Sequence, residues 1–434
     1  MNFNSNVNLT RAENPSDFTE QFHKILCPVM PDFLNKYLTL PILERLKGVG
    51  LLCGTDWTPF FKNNFYYSRF DHSVGVALIV WNFTHDKAQT IAGLLHDVST
   101  PAFSHVADFR KGDSLTQTAT EEDNGSMLAS SRELLDCLSR DGLTLEQIND
   151  YHKYPIADNE VPQLSADRLE YMFPSGAALA GTWSLTESFT LDEIKQIYND
   201  LTICKNEDDI IELGFKTQSI AELYCRRTTD IALFLQKCED KMAMQFPAEI
   251  LNLAVKLNLL KEEDFFTKSE RKIIERLDSI VSDTQPASIG ASSEGGATLA
   301  HNAVIGEATD SGAQSAPDAD FKKFCTYYKT YRTFTSITRS DTPLDGHYCV
   351  NIQVKKRYIN PLVAEPGAET LNAASSPEPG AATSQSAQDC TTDARPPDNI
   401  AKARRLTAIS PEWKKRIDDF LSYSDAPYAC VKLV

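Results

Sequence analysis

The run LLHDVSTPAFSH (94–105) constrains this chain more than any other stretch. It follows an apolar segment, QTIAGLL, whose apolar residues recur at three- and four-residue steps. A helix therefore leads into the pair His96-Asp97, and Ser99-Thr100-Pro101 marks its end. Neighbouring residues on a helix point about 100° apart. His96 and Asp97 can meet one ion only where a helix end opens into a cleft between packed helices. Four of the eight histidines, His72, His85, His96 and His105, lie in this part of the chain. For any single one, a place on a buried helix face is the commoner outcome. Clustering beside a carboxylate favours a metal, because imidazole and carboxylate together suit Mn, Fe, Ni, Co or Zn.

The frame around the run reads as helical. Val74, Ala77, Leu78 and Trp81 recur at helical spacing, as do Ala88, Ile91, Ala92 and Leu95, and again Ile194, Ile197, Tyr198 and Leu201. Thr144 with Gln147 and Thr190 with Glu193 fit capping boxes, in which paired side chains satisfy orphan backbone donors. Residues 35–283 are expected to form a mainly α helical bundle behind an N-terminal segment at 1–34. Two stretches rich in Ala, Gly and Ser, 284–319 and 365–399, hold too little apolar surface to offset the entropy of ordering. They are expected to be disordered linkers or loop insertions. Residues 320–434 are expected to form a small α+β lobe that the second insertion interrupts. Its run FKKFCTYYKTYRTFTSITRS is aromatic and β-branched, and Val350, Ile352 and Val354 alternate with Asn351, Gln353 and Lys355 as in a half-buried strand. Ser410-Pro411 marks a helix start with proline at its first position.

Composition excludes several function classes. The formal charge of -17 repels nucleic-acid phosphate over the surface as a whole. A small phosphorylated substrate still fits, because a metal and a few cations can invert the field inside a pocket. No apolar run is long enough to span a membrane, and the first residues do not read as a secretory signal. The ten cysteines are scattered singly, without a CxxC pair, as expected of reduced thiols in a cytoplasmic protein.

Three segments in order carry the chemistry: SRFDHS (68–73), LLHDVSTPAFSH (94–105) and LSADRLEY (164–171). Three helices would bring His72, His96, Asp97 and Asp167 around one divalent ion. Four protein ligands leave positions open for water and a substrate oxygen. This H…HD…D pattern resembles that of the HD superfamily of metal-dependent phosphohydrolases. Within it the chain is most similar to the branch of deoxynucleoside triphosphate triphosphohydrolases. The matching stretches are PILERLKGVGLL (41–52), SRFDHSVGV (68–76), IAGLLHDVSTPAFSHVADF (91–109), DNGSML (123–128), ADRLEY (166–171) and VKKRYINPLV (354–363). The resemblance implies that His72, His96, Asp97 and Asp167 bind the metal, one of Mn, Fe, Ni, Co, Zn or Mg. It implies that Arg69, Arg168 and Tyr171 contact substrate phosphate. It implies that His105, Asp108 and Asp97 serve catalysis, that the substrate is a small phosphate ester such as a nucleotide, and that the chain forms a homo-oligomer.

The departures from that branch matter too. Thr100 stands where the family's HDxGHxPFSH run has a catalytic histidine. Its HExGS stretch reads Glu122-Asp123-Asn124-Gly125-Ser126, which removes another histidine and leaves Glu122 as a stand-in acid. Leu51 and Ser175 replace a glutamine and an aspartate that read the sugar. The metal shell is complete while proton-transfer groups and sugar readers are missing. Phosphate-ester hydrolysis at a metal is the expectation, and a catalytically impaired nucleotide sensor or assembly module is the alternative. His85, His152 and His301 read as loop or cap residues. Arg226-Arg227, Lys355-Lys356-Arg357 and Arg404-Arg405 read as solvated faces, with the last two groups as candidate sites for a nucleotide or an acidic partner.

Overall fold

The computed structural model describes residues 15–117, 124–181, 185, 187–283, 316–365 and 400–434. At its centre is the helix Arg69–Thr84, whose residues from Ser73 to Val80 are all buried. It is apolar on every side because other helices surround it. Its N-terminus is fixed by a capping box between Ser68 and Asp71, and at its other end His85 adopts a left-handed conformation (φ 51°) that turns the chain back. Asp86 then caps the helix Lys87–Leu95 by accepting from the Gln89 N–H at 3.0 Å. The two helices pack against each other, and Ala166–Leu179 lies along the first of them. Pro15–Leu26 packs on the central helix as well, with Phe22 and Leu26 fully buried. The N-terminal segment thus belongs to the helical body from residue 15 onward.

A second core forms around the helix Cys238–Lys256, which packs against Val106–Arg110 and Ala316–Thr333. The latter contains FKKFCTYYKTYRT, whose aromatic and β-branched residue types alone would suit a strand. Phe321, Phe324, Tyr328 and Tyr331 recur at helical steps, and burial of Phe324, Tyr328 and Tyr331 outweighs the β propensity of the run. This helix begins at Ala316, before the expected boundary at 320, and the rest of the expected linker at 284–315 lies outside the described residues. Its Arg332 pairs with Asp278 on the helix Glu270–Asp283 at 3.2 Å.

Two small sheets complete the fold. β1 (Leu201–Lys205), β2 (Ile211–Phe215), β5 (Leu362–Ala364) and β6 (Ala401–Arg405) close into a barrel. Leu201, expected to extend the helix Leu191–Asn199, instead starts β1 opposite Phe215. The tail strands β5 and β6 pair with β2 and β1, so the C-terminal segment is stitched into the helical body. Arg405 makes two bonds to the buried Glu212 carboxylate, at 2.6 and 2.9 Å. β3 (Thr338–Ser340), β7 (Tyr428–Lys432) and β4 (His347–Val350) form the second sheet. β4 ends at Val350, so Ile352 and Val354 are not in a strand. The alternation persists in burial all the same, since Val350 and Val354 are buried while Asn351 and Gln353 are exposed. Ser410 caps Pro411–Ser422 as its sequence predicts. The expected insertion falls almost wholly at 366–399, outside the described residues. Among the described residues, no helix is long and apolar enough to cross a membrane.

Candidate metal centre

His72 sits in the first turn of the central helix and is 1% exposed. Its Nδ1 bonds the carboxylate of Glu170, which is fully buried on Ala166–Leu179 and also accepts from the Tyr67 hydroxyl at 2.6 Å. His96 caps the end of Lys87–Leu95 and donates from Nδ1 to the Gly93 carbonyl at 2.7 Å. With both Nδ1 atoms engaged, both Nε2 lone pairs face inward, 3.3 Å apart. Asp167 Oδ1 lies 3.0 Å from His72 Nε2 and 3.4 Å from His96 Nε2. Asp97 Oδ2 lies 3.7 and 3.8 Å from the same two atoms. Both Nε2 lone pairs thus lie within 3.8 Å of an oxygen from each carboxylate, an arrangement that repels itself unless a cation fills it.

The spacing suits an ion. Bonds of ~2.1 Å place ligands about 3.0 Å apart at right angles and about 3.4 Å apart in a tetrahedron. The electrostatics agree. Burial opposes charge on His72, yet Glu170 and Asp167 outweigh it and hold its pKa up at about 10. Burial likewise opposes charge on His96, and Asp97 and Asp167 raise its pKa all the same. Burial also opposes charge on both carboxylates. Even so, His72 and His96 hold Asp167 well below the usual carboxylate range, and Arg69, His96 and His72 hold Asp97 low. The centre therefore favours positive charge at its middle. The donor atoms of His72, His96 and Asp97 all lie within 4.8 Å of one another, and Asp167 reaches the two histidines from outside that set.

A cavity of about 230 Å³ opens beside this centre. Arg69 lines it and is held by bonds to Asp97 Oδ2 (2.7 Å) and Ser104 Oγ (3.1 Å). Its Nη2 makes no hydrogen bond to a described residue. His105 also lines the cavity, with Nδ1 bonded to Asp108 at 2.9 Å. Burial first, then Arg357 and Arg69, lowers the His105 pKa, so its ring is neutral near pH 7. Asp108 is fully buried, so it reaches the cavity only through His105. Arg168 lines the cavity, but its guanidinium bonds the Gln163 carbonyl (2.8 Å), the Asn159 carbonyl and side chain, and Asp158 at 3.4 Å. That geometry makes it the clasp of the loop before Ala166–Leu179 and leaves it little capacity for phosphate. Tyr171 lines the cavity one turn beyond Asp167, close to Arg357.

The departures from the family pattern also have places. Thr100 donates to Asp97 Oδ1 at 2.9 Å, so the residue in the histidine's place orients a candidate ligand. Leu51 and Ser175 line the cavity. Glu122 and His301 lie outside the described residues. His152 sits in a short 3-10 turn beside Asp150. Arg227 pairs with Glu187 and Glu193. Glu170, Arg357 and Asp240 belong to the site without a motif to announce them. Lys355 and Arg357 face the cavity, whereas Lys356 turns away to the Leu421 and Tyr423 carbonyls. The two-residue alternation of that segment was the available signal.

No protein-family model matches the chain. Part of it is 31% identical, over 138 residues, to the uncharacterized protein YdhJ of Bacillus subtilis, which is 30% of this chain and 38% of that protein. Another match is 29% identical, over 129 residues, to the metal-dependent phosphohydrolase cns2 of Cordyceps militaris, which is 30% of this chain and 36% of that protein. The chain therefore spans less than two fifths of the length of these curated relatives. The His72, His96 and Asp97 cluster is a donor set that suits a divalent metal.

Proposed function

We propose that this chain is an HD-type metal-dependent phosphohydrolase acting on a small phosphate ester, of which nucleotides are one class. The observation that carries this reading is the cluster of His72, His96 and Asp97, with Asp167 Oδ1 at 3.0 and 3.4 Å from the two Nε2 atoms and both Nδ1 atoms anchored behind them. When bound, a divalent ion supplies Lewis acidity toward a phosphoryl oxygen and toward water. Arg69 offers Nη2 to a phosphate oxygen beside the centre, in the charge-assisted manner that favours arginine for this task. Neutral His105, fixed by Asp108, can accept or return a proton at Nε2. Thr100 and Arg69 together hold Asp97 in place. Leu51 and Ser175 give no support to the triphosphohydrolase reading, because Leu51 carries no hydrogen-bonding group and Ser175 has a short neutral hydroxyl where the family has a carboxylate. Homo-oligomerisation and a cytoplasmic setting belong to the same proposal. The nine described cysteines are free thiols, which agrees with the latter.

The substitution of Thr100 for a family histidine favours one second reading, a nucleotide sensor without turnover. Phosphorus NMR on Mn²⁺-loaded protein, beside His96→Ala, separates the two. Products from dNTPs, nucleoside monophosphates or cyclic dinucleotides that vanish in the variant support hydrolysis. Binding without product supports the sensor.

A further inference from the structure

The bonds behind His72 do not stop at Glu170. One Glu170 oxygen bonds His72 Nδ1, and the other accepts from the Tyr67 hydroxyl at 2.6 Å. The Tyr67 oxygen in turn lies 3.2 Å from His23 Nε2, and the same Nε2 lies 3.1 Å from the Asp71 carbonyl oxygen. His23 belongs to Pro15–Leu26, which packs on the Arg69–Thr84 helix. Tyr67 lies in the segment just before Arg69–Thr84, Glu170 lies on Ala166–Leu179, and His72 returns to the first turn of Arg69–Thr84. One string of bonds therefore joins three helices to the imidazole that faces the metal position.

The hydrogens along this string run one way. A carbonyl oxygen only accepts, so the Asp71 carbonyl requires a hydrogen on His23 Nε2. That N–H is shared with the Tyr67 oxygen, which leaves the phenol hydrogen for Glu170. Burial, then the Glu170 charge, pushes the Tyr67 phenol well above its ordinary range, so the hydrogen stays on the phenol near neutral pH. Glu170 then accepts from His72 Nδ1–H at its other oxygen, and His72 presents the Nε2 lone pair to an ion. Tyr67 and Glu170 are both buried, so bulk solvent offers no substitute for the phenol. Without it the buried carboxylate would keep one of these two bonds, its charge would cost more, and its side chain would be free to turn.

We infer that Tyr67 and His23 are positioning residues of the metal centre, acting through Glu170 to fix the tautomer and orientation of His72. This rests on the phosphohydrolase reading and extends its metal centre to the N-terminal helix. Tyr67→Phe removes one oxygen and keeps the ring. In the full chain it should weaken Mn²⁺ binding by about 10-fold, the lower end for a group behind a metal ligand. It should also shift the visible absorption of bound Co²⁺, which reports ligand geometry. His23→Leu should move both readouts in the same direction and by less. His23→Gln, whose amide N–H can take the place of Nε2–H, should restore them. In the Tyr67→Phe background His23→Leu should change metal binding no further, because His23 acts through the phenol. A purely structural role would lower the urea midpoint of these variants and leave Mn²⁺ affinity and the Co²⁺ spectrum of the folded protein unchanged. That result in Tyr67→Phe and His23→Leu overturns the inference and leaves the metal centre standing. If Tyr67→Phe does not fold, His23→Leu beside His23→Gln decides the matter by the same two readouts. A parent protein that binds neither Mn²⁺ nor Co²⁺ removes the phosphohydrolase reading, and this inference with it.

Discussion

Gly75→Ala adds a single methyl group and should disable the metal centre from behind. Gly75 sits in the middle of the Arg69–Thr84 helix, where alanine is the better helix former by up to ~1 kcal/mol. The added Cβ would lie 2.4 Å from Glu170 Oε1, 2.7 Å from its Cγ and 2.9 Å from its Cδ. Ordinary contact needs about 3.4 Å or more, so Glu170 must retreat by roughly 1 Å. Its side chain is fully buried and bound at both oxygens, to His72 Nδ1 and to the Tyr67 hydroxyl, so it cannot retreat and keep both. Overpacking costs about 1–3 kcal/mol and a lost charged hydrogen bond about 1.5–3 kcal/mol. Against the helix gain, the variant should be less stable by about 1.5–5 kcal/mol in urea unfolding. Loss of the group that orients a metal-binding histidine costs about 10- to 100-fold in metal affinity, read by calorimetric Mn²⁺ titration. Gly125→Ala is the control, because its Cβ would meet nothing within 4 Å and should leave metal binding unchanged. A Gly75→Ala protein that gains stability and binds Mn²⁺ as before would refute the packing argument.

Three further outcomes follow from the same geometry. Arg69→Ala removes the cation that holds the Asp97 carboxylate low and a bond of 2.7 Å to it. It should lower kcat/KM by about 10²-fold or more, with Arg69→Lys recovering only part because the guanidinium fork is lost. Glu270 accepts from Gly50 N–H, Phe103 N–H and Trp57 Nε1–H, tying the segment before His72 to the loop after Asp97. Glu270→Ala should cost about 3–5 kcal/mol in chemical denaturation by orphaning those buried donors. Burial pushes the Glu270 carboxyl up from 4.5 to about 7. The unfolded chain therefore ionises first as pH rises, the folded state holds the extra proton, and stability falls between about pH 4.5 and 7 by up to ~3 kcal/mol. Glu270→Gln should flatten that fall. A slope identical to that of the parent contradicts the assignment.

Local order was legible where side-chain spacing and caps decide it. Thr144, Thr190 and Ser410 start helices where their sequences indicate, and His72, His96, Asp97 and Asp167 come from segments readable by their ligand types. Partners distant in the chain were not legible. Glu170 looks like any helical glutamate until Gly75 lets the two helices approach closely enough for it to reach His72. Arg357 reads as a solvated cation until β5 and β6 pair with β2 and β1 and draw the tail across the cavity. Arg168 matches a phosphate-binding position by motif alone, and the loop at 158–163 claims its donors. From Phe321 to Tyr331, residue type speaks for strand while spacing speaks for helix, and packing on Cys238–Lys256 decides for the helix.

Metal stoichiometry tests the central claim most directly. Protein stripped with chelator and re-equilibrated with Mn²⁺ should retain one ion per chain, by elemental analysis and by quenching of the free-ion electron paramagnetic resonance signal. His96→Ala and Asp167→Ala should each lose it while remaining folded. Retention of the ion by both variants, or no ion in the parent, would contradict a metal centre at His72, His96, Asp97 and Asp167.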